Sequence, residues 1–237
     1  MPIRNRLPAL IGTMCRAALL WALLGALLMG CWKQAVFAQG KNDADVGKPT
    51  ADAAYTATPV DGLPTGPVWT IAFDGEDRPW VGTEGGGAVL GNDGKWQPSA
   101  AGGELGGESV RAYLFAPDGG VWVGTERGLY VFNSGEKVAE YGFTDGMAAS
   151  GVEDLALDSD GNIWATHLAE GVSRFDGAQW RKYTTDDGLA DNWVYSITAD
   201  EAGKLWFGTG AGVSVYDGAD WMTYTTGDGL AGEWVSG

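Results

Sequence analysis

Four short segments of the chain place polar side chains directly ahead of an apolar run, and two of them add a tryptophan. They are Glu108-Ser109, Ser150-Gly151, Asn192-Trp193 and Glu233-Trp234. An exposed indole can stack on a sugar ring, while a neighbouring carboxylate or amide hydrogen-bonds the sugar hydroxyls. These residues are therefore our candidates for ligand binding. The alternative is that Trp193 and Trp234 only cover the ends of the elements that follow them.

Catalytic chemistry has no comparable support in the sequence. His167 is the single histidine, so no second imidazole is present to hold a metal with it or to assist it in catalysis. Adjacent carboxylates such as Glu153 and Asp154 are expected by accident among 31 acidic residues, so they do not identify a hydrolytic dyad. We predict that His167 is a packed or rim histidine, and that the chain has no catalytic residue, metal or cofactor.

The stretch DSDGN, residues 158–162, superficially matches a calcium-binding loop because Asp158, Asp160 and Asn162 alternate along it. The remainder of such a loop, including the distal bidentate glutamate, is missing. The equivalent stretches APDGG and DEAGK do not carry the same oxygen pattern. We therefore predict a hairpin corner at this position.

The elements that must position these residues belong to a repeat. Trp80, Trp122, Trp164 and Trp206 follow one another at intervals of 42 residues. Around each tryptophan the sequence divides into four short apolar runs, joined by Asp-Gly and related corners that accept positive φ. Such a repeat predicts antiparallel sheets arranged as propeller blades. A helical solenoid is disfavoured because apolar residues do not recur at helical spacing after the N-terminal segment.

Apolar residues lie on both faces of the first strand in each unit, so each sheet needs a neighbour on both sides. We expect the tryptophans to fill the gaps between blades, and the glycine that follows to let the next backbone approach. The predicted blades are residues 61–102, 103–144, 145–186 and 187–227, with the start of a fifth at 228–237. The prediction is an all-β propeller with four complete blades in a partial or truncated ring. A four-bladed ring with a short overhang is the alternative.

Loops that lead into the innermost strands of a propeller surround the mouth of its central channel, where ligands commonly bind. The candidate pairs described above occupy these loops. We therefore expect the channel mouth to be lined by Glu108, Ser109, Asn192, Trp193, Glu233 and Trp234.

The N-terminal segment, residues 1–38, has the layout of an export signal. It contains no acidic residue, carries three arginines ahead of the run AALLWALLGALLMG, and ends in the small-residue pattern VFA. Cleavage after Ala38, lipidation of Cys31 in LMGC, and retention as a membrane anchor remain three alternatives. Each alternative places the remaining chain outside the cytoplasm, with membrane contact only through this segment.

Residues 39–60 are small and polar, which predicts a flexible linker. Four of the 15 basic residues lie ahead of this linker and all 31 acidic residues lie after residue 38, so the exported part carries about 20 excess negative charges. A surface of this charge repels phosphate groups, which argues against nucleic acid as a partner. Both cysteines, Cys15 and Cys31, precede the linker, so we expect no disulfide in the exported part.

The segments GGVWVGTERGLYVF, GNIWATHLAEGVSRFDG and GKLWFGTGAGVSVYDG resemble the two-component regulator propeller repeat. The likeness extends over residues 61–237, although the third unit has WATH in place of WVGT or WFGT, and the second opens with GELG. The resemblance implies an extracytoplasmic β-propeller of a sensor region. Members of this family frequently precede a membrane span and a histidine kinase, and many are thought to recognise glycans.

Three functional hypotheses follow from the sequence and this resemblance. The first is a periplasmic or extracellular sensor module without catalysis, whose ligand is a glycan or another small molecule and whose receiver is a protein partner or a downstream kinase domain. The second is a propeller-based extracellular glycan lyase or glycoside hydrolase. The third is a scaffold or adhesion module that binds another protein.

Overall fold

The structure is a computed structural model that describes residues 61–99, 105 and 107–237. The predicted export signal with Cys31, and the predicted linker, lie outside the described residues. The described part contains sixteen strands and the short 3₁₀ helices Phe143–Asp145 and Thr226–Asp228. Within this part of the chain, no helix is long and apolar enough to cross a membrane.

The strands form four antiparallel sheets of four strands each, which follow chain order within every sheet. Blade 1 contains β1 (Val68–Phe73), β2 (Pro79–Thr83), β3 (Gly86–Leu90) and β4 (Trp96–Pro98). Blade 2 contains β5 (Val110–Phe115), β6 (Val121–Thr125), β7 (Leu129–Asn133) and β8 (Glu136–Tyr141). Blade 3 contains β9 (Leu155–Leu157), β10 (Ile163–His167), β11 (Gly171–Phe175) and β12 (Trp180–Tyr183). Blade 4 contains β13 (Val194–Ala199), β14 (Leu205–Thr209), β15 (Gly212–Tyr216) and β16 (Trp221–Tyr224).

Consecutive blades contact each other chiefly through their first strands, because β5 packs on β1, β9 on β5 and β13 on β9. The first strands therefore lie on the inner side of the arrangement, as they do in propellers. The predicted all-β propeller of four four-stranded blades is confirmed.

The prediction that tryptophans fill the gaps between blades is confirmed at three boundaries. Each ring lies 5.3 to 6.0 Å, between centroids, from an aromatic ring of the next blade, in the pairs Trp80–Phe115, Trp122–Phe175 and Trp164–Phe207. Trp164 is completely buried, so its packing contributes a few kcal/mol at about 25 cal/mol per Å². Trp206, in the last blade, is only partly buried and stacks on Tyr224 of its own sheet.

The glycine after the tryptophan allows close approach, as predicted, in blades 1 and 2. A Cβ atom at Gly82 would lie 2.5 Å from the carbonyl oxygen of Val110, and one at Gly124 would lie 2.7 Å from a methyl group of Val152. Blade 3 has Thr166 at the equivalent position, and its first strand pairs over only three residues, Leu155–Leu157. The unusual WATH sequence thus changes local pairing without changing the fold.

An aspartate organises the corner between the first and second strands in three blades. Its carboxylate accepts the indole N–H of the tryptophan six residues later, at 2.8 to 2.9 Å, in the pairs Asp74–Trp80, Asp158–Trp164 and Asp200–Trp206. The Asp158 carboxylate also accepts the backbone N–H groups of Asp160 and Asn162. The stretch at 158–162 is therefore a hairpin corner, as predicted.

The fifth unit begins in the same way as the complete ones but forms no strand within the described residues 228–237. The backbone N–H of Val235 donates to the carbonyl of Thr209 at 3.0 Å. The N–H of Val152 donates to the carbonyl of Thr125 at 2.9 Å, at the corresponding place two blade boundaries earlier in the chain. Residues 228–237 therefore contact blade 4 as residue 152 contacts blade 2, and the fifth blade stays a prediction.

Candidate ligand site at the channel mouth

A row of four equivalent residues projects from the innermost strands, and we call it the inner row. The row consists of Trp69, Arg111, Glu153 and Tyr195. The pairing between the first and second strands of a blade shifts register at three of them, which lie in β1, β5 and β13. The remaining member, Glu153, lies just ahead of β9. A bulge of this kind re-aims a side chain out of the regular alternation. The inner row is therefore a feature of the fold that is independent of residue type.

Members of the inner row from three consecutive blades contact one another. The guanidinium of Arg111 lies 4.1 Å from the centre of the Trp69 ring, a cation–π contact. The Arg111 guanidinium also contacts two carboxylates. Its Nη2 donates to Glu126 at 2.6 Å, and its Nη1 lies 3.5 Å from Glu153. Partial burial raises the pKa of Glu153, although the charge of Arg111 opposes this shift. Side chains of blades 1 to 3 thus form one continuous polar and aromatic surface.

Glu108 and Ser109 lie together beside this row. They line a cavity of about 260 Å³ whose remaining walls are Glu84, Gly107, Glu126 and Arg127. The Glu108 carboxylate accepts a hydrogen bond from the Tyr130 hydroxyl at 3.3 Å, and its Oε2 lies 3.1 Å from Thr125 Oγ1. Burial, followed by the nearby Glu108 charge, raises the pKa of Tyr130 to about 12, so this hydroxyl remains a donor.

The predicted candidates Asn192 and Glu233 are engaged within their own loops. Asn192 Oδ1 accepts the backbone N–H of Thr185 at 2.9 Å, and Glu233 Oε1 accepts the hydroxyl of Thr226 at 3.1 Å. The equivalent Ser150 accepts the backbone N–H of Phe143 at 3.2 Å. These three side chains hold the preceding turn, a role that the sequence did not reveal.

The two predicted tryptophans are exposed, Trp193 by 47% and Trp234 by 71%. The Trp234 ring lies 5.7 Å from the ring of Tyr195, at an interplanar angle of 60°. Trp234 therefore extends the inner row by one more aromatic group. The Trp193 backbone is fixed by the Gly210 N–H, which donates to its carbonyl at 3.0 Å, while its ring faces solvent.

His167 is packed, as predicted, and both ring nitrogens are occupied. Its Nδ1 lies 2.6 Å from the carbonyl oxygen of Gly151, and its Nε2 lies 2.8 Å from the hydroxyl of Ser173. Burial lowers its pKa to about 4. The described residues contain no group of three or more His, Cys, Asp or Glu side chains that could hold a metal ion.

Sequence reasoning missed the inner row although the row obeys the 42-residue interval. Arg111, Glu153 and Tyr195 each follow a predicted pair by two or three residues. Counting that interval from Trp69 would have located all four positions. Their side chains are two aromatic groups, a guanidinium and a carboxyl group, however, and no shared residue type marks them as equivalent.

The fold is a β-propeller whose innermost strands carry a row of polar and aromatic side chains. Residues 188–211 match the family model described as two component regulator propeller, which confirms the resemblance to this repeat. A comparison with curated proteins gave no match.

Solved structures with similar folds include two extracellular domains from B. thetaiotaomicron. The domain from a presumed hybrid two component system is 23% identical with a TM-score of 0.64, covering 70% of this chain and 24% of that one. The domain from a presumed one component system is 16% identical with a TM-score of 0.58, covering 68% of this chain and 24% of that one. This chain thus spans about a quarter of their length.

An enzyme is also similar in structure. Virginiamycin B lyase from Staphylococcus aureus is 16% identical with a TM-score of 0.54, covering 67% of this chain and 55% of the lyase. At this level of identity the likeness establishes the propeller fold and leaves function to the site itself.

Proposed function

We propose that this chain is an extracytoplasmic sensor propeller that binds a saccharide at its channel mouth. The observation that carries the proposal is the set of three solvent-accessible indole rings, Trp69 on β1, Trp193 just ahead of β13 and Trp234 in the segment after blade 4. Indole rings exposed beside carboxylates and an arginine suit a ligand with apolar ring faces and many hydroxyl groups. The family match and the similarity to extracellular domains of regulatory systems support a sensing role.

Location outside the cytoplasm is part of the same proposal. The sequence of the N-terminal segment supports it, and so does the similarity to domains described as extracellular. The receiver of the signal would be a kinase domain or another protein partner, because a propeller with a ligand in its channel has no chemistry of its own to report binding. The lyase and hydrolase alternatives receive less support, since the histidine of the chain is buried with both nitrogens engaged.

A glycan array tests the proposal with the full chain. The wild type should bind at least one class of saccharide, and Trp193→Ala or Trp234→Ala should reduce that binding by up to about tenfold, because stacking on an aromatic ring contributes roughly 0.5 to 1.5 kcal/mol. Met222→Ala provides a control, since Met222 is 41% exposed on the outermost strand of blade 4. Absence of saccharide binding by the wild type, or equal loss in the control, would contradict the proposal.

A further inference from the structure

We infer that this chain assembles head to tail with a second copy of itself, so that blade 4 of each copy packs on blade 1 of the other and the two copies close one ring of eight blades. Each blade has a front face, which meets the preceding blade, and a rear face, which meets the following one. The inference concerns the front face of blade 1 and the rear face of blade 4. It goes beyond the proposed function, since it assigns a partner to the propeller.

The three boundaries within the chain share one pairing of positions. At each of them a rear-face residue lies in the same apolar cluster as a front-face residue of the next blade, in the pairs Ala72–Tyr113, Leu114–Leu155 and Ala156–Ile197. Both members recur at 42 residues, so the rear-face member in blade 4 is Thr198 and the front-face member in blade 1 is Ile71. The repeat thus pairs Thr198 of one copy with Ile71 of another.

The front face of blade 1 is apolar and exposed. Ile71 and Phe73 are each 63% exposed, whereas Tyr113, which corresponds to Ile71, is 7% exposed against blade 1. Apolar side chains grouped on one sheet face are typical of an interaction surface.

Trp96 belongs to the same front face. It pairs with Leu90 on the neighbouring strand, in the register that Trp180 and Trp221 have in blades 3 and 4. Trp180 lies 5.5 Å from the ring of Tyr141, and Trp221 lies 5.8 Å from the ring of Tyr183, each in the preceding blade. Trp96 is therefore placed to contact a tyrosine of a blade that precedes blade 1.

The rear face of blade 4 offers such a tyrosine. Tyr224 stacks on Trp206 at 6.1 Å and an interplanar angle of 6°, as Tyr183 stacks on Trp164 at 5.2 Å and 21°. Tyr183 is 2% exposed beneath blade 4, whereas Tyr224 is 38% exposed. A groove of about 460 Å³ lies beside Trp206 on this face. Blade 4 therefore has the aromatic stack of an internal boundary without the blade that covers it.

The size of the contact favours a closed ring. A sheet of four strands with about five residues each covers roughly 300 Å², at a strand spacing of about 4.8 Å and a rise of about 3.3 Å per residue. Two copies that close a ring bury four such faces, roughly 1,200 Å² in all, which reaches the range of specific interfaces. A single contact buries half as much. Eight blades are also within the range that propellers adopt.

Residues 228–237 compete with the second copy at the inner edge of blade 4. The Val235 carbonyl oxygen lies 2.7 Å from where a Cβ atom of Gly208 would be, as that of Val110 lies 2.5 Å from the corresponding point at Gly82. The residue that corresponds to Val110 in blade 1 is Val68, which is 50% exposed. Docking therefore exchanges Val235 for Val68 of the second copy.

Sedimentation equilibrium of the full chain over a wide range of protein concentration tests the inference. The wild type should form a species of two chains, and dilution should free both faces again. Ile71→Asp and Thr198→Lys should each raise the dissociation constant about tenfold or more, because each places an unpaired charge in both contacts. An equimolar mixture of the two variants should recover the dimer, since one contact is then wild type and the other joins Asp to Lys. Recovery also shows that both variants are folded.

Val138→Asp is the matched control, since it adds the same charge at a residue 61% exposed on β8 and should leave the dimer unchanged. Val235→Pro should tighten the dimer, because proline lacks the N–H that bonds Thr209. A wild type that stays monomeric, or assembles without limit, would overturn the inference. Dimers of Ile71→Asp or Thr198→Lys alone, as tight as those of the wild type, would also overturn it and place the contact in another part of the chain.

Discussion

At the scale of single residues, His167 shows how one substitution in a repeat is accommodated. Thr83, Thr125 and Thr209 occupy the corresponding positions, and each hydroxyl donates to the carbonyl of a glycine in its own hairpin. His167 instead bridges two segments, since Nδ1–H donates to Gly151 and Nε2 accepts the Ser173 hydroxyl. The Ser173 oxygen in turn accepts the backbone N–H of Ala148 at 2.8 Å. Burial lowers the pKa of His167 to about 4, so the imidazole is neutral near pH 7, and with Nδ1–H donating to Gly151 its Nε2 accepts the Ser173 hydroxyl.

The His167 network predicts that stability depends on pH. Its folded pKa of about 4 lies below the ordinary 6.5, so the unfolded chain binds the proton first, and the stability is lost as pH falls from 6.5 towards 4. Between pH 7 and pH 4.5 this group alone should lower the free energy of unfolding by about 2 kcal/mol. Urea unfolding of the wild type and His167→Gln at both pH values measures the effect. An identical pH dependence of both proteins would contradict the assignment.

At the scale of elements, the corner between the first and second strands positions the second strand. In blades 1, 3 and 4 an aspartate at this corner accepts the indole N–H of the tryptophan on the second strand. Blade 2 departs from this rule because Ala116 stands where the other blades have an aspartate. Its backbone is nevertheless the same, since the Ala116 N–H donates to the carbonyl of Gly120 at 2.8 Å, as the Asp158 N–H does to Asn162 at 3.0 Å. The corner of blade 2 therefore has the correct geometry without the side-chain acceptor.

Ala116→Asp should consequently stabilise the protein. The new carboxylate would be placed to accept the indole N–H of Trp122, as Asp158 does from Trp164, and a gain of about 1 kcal/mol is expected. The reverse change, Asp158→Ala, should cost about 1 to 2 kcal/mol, because it removes an acceptor of both backbone and indole N–H groups. Urea midpoints of the two variants test this, and a destabilising Ala116→Asp would show that the corners are not equivalent.

The elements also show what the sequence could predict. Strands, corners and the tryptophan packing were predictable because each repeats a residue type at a fixed interval. The inner row was not, because a bulge shifts the alternation at Trp69, Arg111 and Tyr195 without requiring any particular side chain. The hydrogen bonds of Asn192 and Glu233 within their own loops were not predictable either, since Asn192 accepts a backbone N–H and Glu233 accepts the Thr226 hydroxyl seven residues earlier, and both depend on how the loop folds.

At the scale of the whole molecule, the first blade differs from the others in what covers it. Tyr113 and Phe115 of blade 2 are packed against Trp80 of the preceding blade. Their equivalents in blade 1, Ile71 and Phe73, are each 63% exposed. Residues at these positions pack against the preceding blade in blade 2, whereas in blade 1 they form an exposed apolar surface.

This surface should bind a probe of exposed apolar area such as the dye ANS. Replacing Ile71 and Phe73 together by threonine should lower the dye fluorescence clearly, because both side chains are largely exposed and threonine retains the preference for a strand. The free energy of unfolding should change by less than about 1 kcal/mol, since little buried contact is removed. Val138→Thr, which alters a residue 61% exposed on the outer strand β8, is the control. Unchanged fluorescence in the double variant, with a fall in the control, would place the apolar surface elsewhere on the propeller.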